Sequence, residues 1–206
     1  MTRFILIRHG QTVWHSDGVE RAEGRAEVDL DEVGVRQARA TAVRLNPWEI
    51  SAIYSSPLKR ALGTASILAA RRGLAAKPEP GLIDIDYGKW QGLTHQEAQA
   101  DDPNLYSLWL KKPQLVTFPG GEGLVDVRTR VVSAIETLTP KHDGQTVVLV
   151  SHKVVIKALL CHFLGLGDSH FWRFQQGFCA LNVVEVDGSS AVVHLINDAC
   201  HLERPG

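Results

Sequence analysis

Two unbroken apolar runs stand out in the pattern of hydrophobic and polar positions along the chain. Residues 4–7 are Phe-Ile-Leu-Ile, and residues 146–150 are Thr-Val-Val-Leu-Val, with no alternation of apolar and charged positions. Runs of this length are typical of strands that are buried on both faces, as in a parallel sheet covered by helices on each side. The pattern therefore predicts two central parallel strands.

Elsewhere, apolar residues recur every three or four positions, which is the period of an amphipathic helix. This spacing predicts helices from Asp31 to the stop at Asn46-Pro47, from Ser56 to Arg72, over residues 125–138 and over residues 154–164. Ser56 and Pro57 form a favourable N-cap and first turn for the second helix. Shorter extended pieces are expected at residues 52–54 and 77–79, and a polar, glycine-containing surface loop at residues 16–29.

The residue pattern in the last third of the chain predicts a β-hairpin. Residues 180–186 and 191–196 are rich in β-branched residues and are separated by Asp187-Gly188-Ser189. A hairpin that follows α/β units gives a mixed sheet with an antiparallel edge strand. We therefore expect an α/β fold, a three-layer sandwich with a mostly parallel central sheet and helices on both faces. Its exposed hairpin edge permits a homodimer.

A helical insertion is predicted within what otherwise forms a single domain, residues 1–206. Residues 94–119 have helical character interrupted by Pro103 and Pro113. We expect about residues 93–122 to form a lid-like insertion that covers the crevice of the sheet.

Composition excludes several functional classes. The net charge is −1, which does not favour nucleic acid or an anionic membrane as a partner. No apolar run approaches the length that crosses a bilayer, and the N-terminus lacks the regions of a signal peptide, so a cytoplasmic protein is expected. The three cysteines are widely spaced and odd in number, which predicts reduced thiols.

Polar side chains that could take part in a reaction follow the buried strands. The run at residues 4–7 ends in Arg8-His9, and the run at residues 146–150 ends in Ser151-His152. Ligands of open α/β sheets bind beyond the carboxyl ends of the strands, so both histidines are expected at a ligand site. Taken singly, each has a structural alternative, since His152 could cap a helix and Arg8-His9 could end a strand in solvent.

Five stretches, taken together and in this order, resemble the histidine phosphatase superfamily. They are LIRHGQT at residues 6–12, YSSPLKRA at 54–61, IDYGKWQG at 85–92, PGGE at 119–122 and VSH at 150–152. The resemblance implies phosphoryl transfer through a phosphohistidine on His9, which water then hydrolyses. It implies no cofactor and no metal, in agreement with the lack of a His-Glu-x-x-His motif among the nine histidines.

The chemistry of phosphoryl transfer explains these residue types. The transferred group carries charge on three oxygens, so a protein must place and neutralise it. Arg8 and Arg60 each offer a planar fork of donors that can grip phosphate bidentately. His152 can add a hydrogen bond from the start of its helix.

The proton donor is the clearest departure from the family pattern. The family uses a glutamate where this chain has Asp84. Asp86, two residues on, faces the opposite way in an extended segment and is the second candidate. Further candidates for substrate or phosphate contacts are His15, where relatives place an asparagine, Lys153, where a glycine is usual, and Gln11 and Arg21.

Three functions are compatible with these residues. The first is a metal-independent phosphomonoesterase that acts on a small phosphorylated metabolite, of the phosphoserine, α-ribazole phosphate or sugar and glycerate phosphate type. The second is a cofactor-dependent phosphoglycerate mutase, although the longer basic segments of such mutases are not evident. The third is a non-catalytic phosphate-binding module.

Overall fold

The computed structural model describes residues 1–202 apart from Asp17 and Ser189. Asp17 of the predicted loop, Ser189 of the predicted hairpin turn and residues 203–206 of the predicted domain lie outside the described residues. The described strands are β1 (Thr2–Arg8), β2 (Ile50–Ser55), β3 (Ala76–Pro78), β4 (Thr146–Ser151), β5 (Leu181–Asp187) and β6 (Ser190–Asp198).

These strands form one sheet in the order β3-β2-β4-β1-β5-β6. The neighbouring pairs from β3 to β1 are parallel, whereas β5 runs antiparallel to β1 and β6 antiparallel to β5. The predicted α/β fold with a mostly parallel sheet and an antiparallel edge is confirmed.

Helices cover both faces of the sheet. The described helices are α1 (Glu32–Arg44), α2 (Lys59–Ala70), α3 (His95–Asp101), α4 (Pro103–Lys111), α5 (Leu124–Leu138) and α6 (Lys153–Phe163). α1 and α2 contribute to the core on one face, and α5 and α6 to the core on the other. None of the described helices is both long and apolar enough to cross a membrane.

The central strand β1 shows why its sequence is apolar at every position. Phe4 and Leu6 belong to the core that α5 and α6 cover, whereas Ile5 and Ile7 belong to the core beneath α1 and α2. All four side chains are at most 1% exposed. A strand buried on both faces needs no polar positions, so the interpretation of this run is confirmed.

The register between β1 and β4 brings the two strand-end histidines together. Arg8 lies opposite Ser151, and the His9 backbone N–H donates to the Ser151 carbonyl over 2.9 Å. The imidazole rings of His9 and His152 have centroids 5.2 Å apart. Residues 143 positions apart in the sequence thus meet at the carboxyl edge of the sheet.

The predicted start of the second helix was wrong. α2 begins at Lys59 with Leu58 as its N-cap, so Ser56 is not the cap. The reason is that the Ser56 N–H still donates to the Val150 carbonyl over 2.9 Å, which continues the β2 pairing past the predicted boundary. The Ser56 hydroxyl accepts from the Leu58 N–H over 3.4 Å and lies 2.7 Å from Nε2 of His152.

The predicted surface loop was also wrong in its second half. Glu23 is only 6% exposed, and the carbonyls of Gly24 and Ala26 accept hydrogen bonds from the buried Arg60 guanidinium. A buried guanidinium needs acceptors for its N–H groups, and this segment supplies them. The loop therefore forms one wall of the site.

The turn after β1 packs directly against the start of α1. A Cβ placed on Gly34 would lie 2.0 Å from the Gln11 carbonyl oxygen. A Cβ placed on Gly63, in α2, would meet only the Leu30 side chain, at 3.4 Å. Of these two glycines, Gly34 is the one where the added methyl would meet backbone that cannot yield locally.

We therefore expect Gly34→Ala to lower the free energy of unfolding by about 1–3 kcal/mol through overpacking. The matched change Gly63→Ala should leave it unchanged or raise it by about 0.5–1 kcal/mol, because alanine favours the helix. Urea unfolding of both variants measures the difference. Equal effects of the two substitutions would contradict the close packing of the turn against α1.

Candidate active site

His9 lies at the end of β1 and is 1% exposed. Its Nδ1 is 2.8 Å from the Gly10 carbonyl oxygen, a contact in which Nδ1–H donates and Nε2 keeps its lone pair. Burial lowers the pKa of His9 well below its ordinary value, and the charges of Arg60 and Arg8 lower it further. The ring is therefore neutral near pH 7, and Nε2, whose lone pair accepts from Arg60 Nε over 3.3 Å, is the candidate nucleophilic atom.

Arg60 is fully buried beside this nitrogen. Its Nε donates to His9 Nε2 over 3.3 Å. Its terminal nitrogens already donate to Ala26 and Gly24 carbonyls, over 2.8 and 2.6 Å, and to Asp84 over 3.1 Å. Most of its donors are thus engaged, and the Nε edge faces the histidine. This geometry does not present the fork of free donors that the predicted bidentate phosphate contact of Arg60 needs.

Arg8 is the less constrained of the two guanidinium groups. It is 6% exposed, its Nη1 donates to the Gln176 carbonyl over 2.8 Å, and its Cζ lies 3.8 Å above the Phe178 ring. Its Nε is buried and has no hydrogen-bond partner among the described residues. A buried, charged donor without an acceptor is unfavourable by itself, so this group is suited to an incoming anion.

His152 is the N-cap residue of α6 and is 1% exposed. Its Nε2 contacts the Ser56 hydroxyl, while Nδ1 is buried without a hydrogen bond within the described part of the chain. When the Ser56 hydroxyl donates to Nε2, Nδ1 carries the proton and can donate to an anion. Burial lowers the pKa of His152 well below its ordinary value, with Arg60 and His9 adding to the effect.

Asp84 completes the cluster. It is 6% exposed, and its Oδ2 lies 3.1 Å from Arg60 Nη2 and 3.6 Å from His152 Nδ1. Burial raises the pKa of Asp84 to about 6, against the opposing charge of Arg60. The structure therefore brings a carboxyl group that is partly protonated near neutrality to the imidazoles.

Asp86, the second candidate, lies elsewhere. Its Oδ1 accepts from the Gly88 N–H over 2.8 Å, and its Oδ2 lies 3.4 Å from Arg25. Its carboxylate closes the turn that leads to Gly88. The geometry therefore places Asp84, and not Asp86, beside His152.

Glu23 is a buried site residue that sequence reasoning missed. Its Oε2 lies 3.7 Å from His9 Nε2 and 3.6 Å from Arg60 Nε. Its Oε1 accepts from the Thr12 hydroxyl. A polar residue in a glycine-containing segment without periodicity has no local signal for burial, so only the tertiary structure could identify it. Phe178, beneath Arg8, was also missed, because the contact joins residues 170 positions apart.

The further candidates for substrate or phosphate contacts fall into two groups, those that line the cleft and one that does not. His15, Arg21 and Lys153 line a cleft of about 760 Å³, part of it open to solvent, that also contains Arg8, His9 and Asp84. Gln11 does not line it, because its side chain donates to Asp31 over 2.8 Å. At the mouth of the cleft, Lys153 lies 3.6 Å from Glu20.

Aromatic side chains form the remaining wall of the cleft. Residues from the 88–90 turn, α4 and the 168–173 turn meet there, and they include Trp90, Trp109, Phe171 and Trp172. Within the described residues, no group of three or more His, Cys, Asp or Glu side chains could hold a metal ion. The cluster thus combines a neutral imidazole, two guanidinium groups and a carboxyl group of raised pKa at the end of a partly apolar cleft.

Comparisons with known proteins agree on one family. The family model of the histidine phosphatase superfamily (branch 1) matches residues 4–199. Phosphoserine phosphatase 1 of Hydrogenobacter thermophilus is 36% identical over 202 residues, covering 98% of this chain and 95% of that protein. The metal-independent phosphoserine phosphatase of Arabidopsis thaliana is 32% identical over 216 residues, covering 100% of this chain and 85% of that protein.

A solved structure shows the same fold. The structure of Bacillus stearothermophilus YhfR superimposes with a TM-score of 0.92 and 32% sequence identity. The match covers 98% of this chain and 100% of that chain. The similarity therefore extends over the whole sheet and both helical layers.

Proposed function

This chain belongs to the histidine phosphatase superfamily, and from that premise we propose that it is a metal-independent phosphomonoesterase with a phosphohistidine intermediate on His9. Its activity is phosphoric monoester hydrolysis on small phosphorylated metabolites. The observation that carries the proposal is the neutral His9 Nε2, held 3.3 Å from Arg60 Nε at the buried end of the cleft.

The first step forms a bond between His9 Nε2 and phosphorus. The phosphorus–oxygen ester bond breaks, its electron pair goes to the leaving oxygen, and Asp84 supplies the proton. The Gly10 carbonyl, which accepts the Nδ1–H of His9, stabilises the positive charge that develops on the ring. The alcohol then leaves.

The second step releases phosphate. Water attacks phosphorus, the phosphorus–nitrogen bond breaks with its electron pair returning to His9 Nε2, and the water proton goes to the Asp84 carboxylate. Arg8 and Arg60 neutralise charge on the phosphoryl oxygens in both steps, and His152 donates a hydrogen bond to them. Among the described residues, Arg8 Nε and His152 Nδ1 are buried donors without a hydrogen-bond partner, and Arg60 Nε donates to His9 Nε2 itself.

Among substrates, we favour a phosphorylated α-amino acid such as phosphoserine. A carboxylate, Glu20, and an ammonium, Lys153, face each other at the mouth, and together they match an ammonium and a carboxylate on one ligand. Two of the relatives described above carry the name phosphoserine phosphatase. A screen that also contains α-ribazole phosphate, sugar phosphates and both phosphoglycerates separates this substrate from the alternatives and from mutase activity.

Residues 93–122 are proposed to act as the lid of this single domain, because α3 and α4 supply His95, Tyr106 and Trp109 to the cleft. A cytoplasmic location and a homodimer through the edge strand β6 remain predictions.

The proposal predicts p-nitrophenyl phosphate hydrolysis in the presence of EDTA. Replacement of the nucleophile in His9→Ala should lower kcat by at least about 10³-fold, because the covalent intermediate forms on His9. Gln11→Ala is the control, since its side chain points away from the cleft. Full activity of His9→Ala would reject the mechanism, and loss of activity in EDTA would reject metal independence.

Asp84 should control the pH dependence for substrates with poor leaving groups. Its pKa is raised to about 6, so the protonated donor is lost as pH rises through that value, and kcat/KM for an alkyl phosphate should fall. Asp84→Asn should lower kcat/KM for the alkyl phosphate by about 10²–10⁴-fold and remove this contribution to the pH profile. p-Nitrophenyl phosphate, whose leaving group needs little protonation, should be affected much less. Equal losses on both substrates would assign the proton donor elsewhere.

A further inference from the structure

The PGGE stretch at residues 119–122 has no part in the chemistry described so far. It lies directly before α5 and does not line the cleft. Glu122 nevertheless accepts hydrogen bonds from Arg130, which lies eight residues later in α5. Arg130 in turn donates to the backbone of the loop that carries Asp84. This arrangement raises the question of what holds Asp84 in place.

Arg130 grips the backbone of that loop. Its Nη1 donates to the carbonyls of Gly81 and Ile83, over 3.0 and 2.6 Å. Its Nη2 donates to the carbonyl of Asp84 itself over 3.0 Å. One guanidinium group thus holds the backbone on both sides of the proposed proton donor.

The loop depends on side chains for this support. After a short turn at Pro80–Leu82 it runs without regular secondary structure to Gly88. The carbonyl of Leu82 accepts from the buried Ser151 hydroxyl over 2.8 Å. Four consecutive carbonyls, at residues 81–84, are therefore held by the side chains of Arg130 and Ser151 and not by a strand or helix ladder.

Glu122 fixes the orientation of Arg130. Its carboxylate accepts from Arg130 Nε over 3.2 Å and from Arg130 Nη2 over 3.1 Å. It also accepts from the Asp86 backbone N–H over 3.0 Å. A two-point contact between a carboxylate and a guanidinium restricts rotation as well as distance.

The same carboxylate connects to the support of Arg60. Glu122 Oε1 accepts from Arg25 Nη2 over 2.9 Å. Arg25 lies between Gly24 and Ala26, whose carbonyls hold the Arg60 guanidinium. Glu122 therefore contacts both loops that position charged groups of the site, without entering the cleft.

The backbone packing leaves little freedom at this junction. A Cβ on Gly121 would lie 2.3 Å from the Asp86 carbonyl oxygen, and one on Gly88 would lie 2.2 Å from the Pro119 carbonyl oxygen. Two backbone segments thus meet directly, which explains the glycines in both motifs.

We propose that Arg130, oriented by Glu122, is a positioning residue that holds the Asp84 carboxyl at the leaving-group side of the reaction. The inference rests on the proposed function. A proton donor acts only within hydrogen-bond reach of the leaving oxygen, and displacement by about 1 Å can cost roughly 10²-fold in rate. Arg130 touches the loop backbone and not the substrate, so its effect passes through Asp84.

The test compares kcat/KM for two substrates, an alkyl phosphate and p-nitrophenyl phosphate, in three variants. Arg130→Met should lower the alkyl phosphate value at least about tenfold more than the p-nitrophenyl phosphate value, because only the first needs the acid. Arg130→Lys should recover part of the difference. Arg128 lies in the same helix as Arg130 and forms an ion pair with Asp168. Arg128→Met removes that ion pair, is the matched control and should show no such selectivity.

A double variant separates positioning from general destabilisation. In an Asp84→Asn background, Arg130→Met should cause no further selective loss, because residues that act through one group are not additive. Equal losses on both substrates, or a full additional loss in the double variant, would overturn the proposal. If Arg130→Met fails to fold, Arg130→Lys and Glu122→Gln are measured in the same way, with the same criteria.

These outcomes are independent of those for the proposed function. Should His9→Ala keep full activity, the phosphohistidine mechanism fails whatever Arg130 does. Should His9→Ala be inactive while Arg130→Met loses both substrates equally, the mechanism stands and only the positioning role is rejected.

Discussion

The parallel pairing of β1 with β4 is the constraint on which the site depends. It aligns the ends of two strands, so that Arg8 lies opposite Ser151 and the His9 and His152 rings come within 5.2 Å. A shift of this pairing by one residue would move each β1 side chain to the opposite face of the sheet. It would also separate the two imidazole rings. The same apolar packing that stabilises the sheet therefore fixes the distance between the proposed nucleophile and its neighbour.

Burial determines the protonation states at this edge. Desolvation favours the neutral form of each titratable group, so it lowers the pKa of both histidines and raises that of Asp84. A neutral imidazole can attack and a protonated carboxyl can donate, which are the states that the proposed reaction requires. Within the described residues, Arg8 Nε and His152 Nδ1 have no hydrogen-bond partner, which is unfavourable for folding, and such groups are expected where function outweighs stability.

Much of this arrangement could be predicted from the sequence because the signals are local. The apolar runs identified β1 and β4, and Arg8, His9 and His152 follow those runs directly. Ser56 was assigned to a helix cap because its local pattern fits one, whereas the pairing with β4 that overrides it involves residues 94 positions away. Glu23 and Arg130 carry no local signal either, since one lies in an irregular loop and the other on a helix face that could equally well be solvated.

The central claim is that His9 Nε2 becomes covalently bonded to phosphorus during turnover. The most direct measurement is rapid acid-free quenching of the enzyme with phosphorus-labelled substrate, followed by peptide mapping and phosphorus NMR of the labelled imidazole. We expect one alkali-stable, acid-labile phosphate on Nε2 of His9, formed before phosphate release. Turnover without a phosphorylated histidine, or a label on any other residue, would contradict the account.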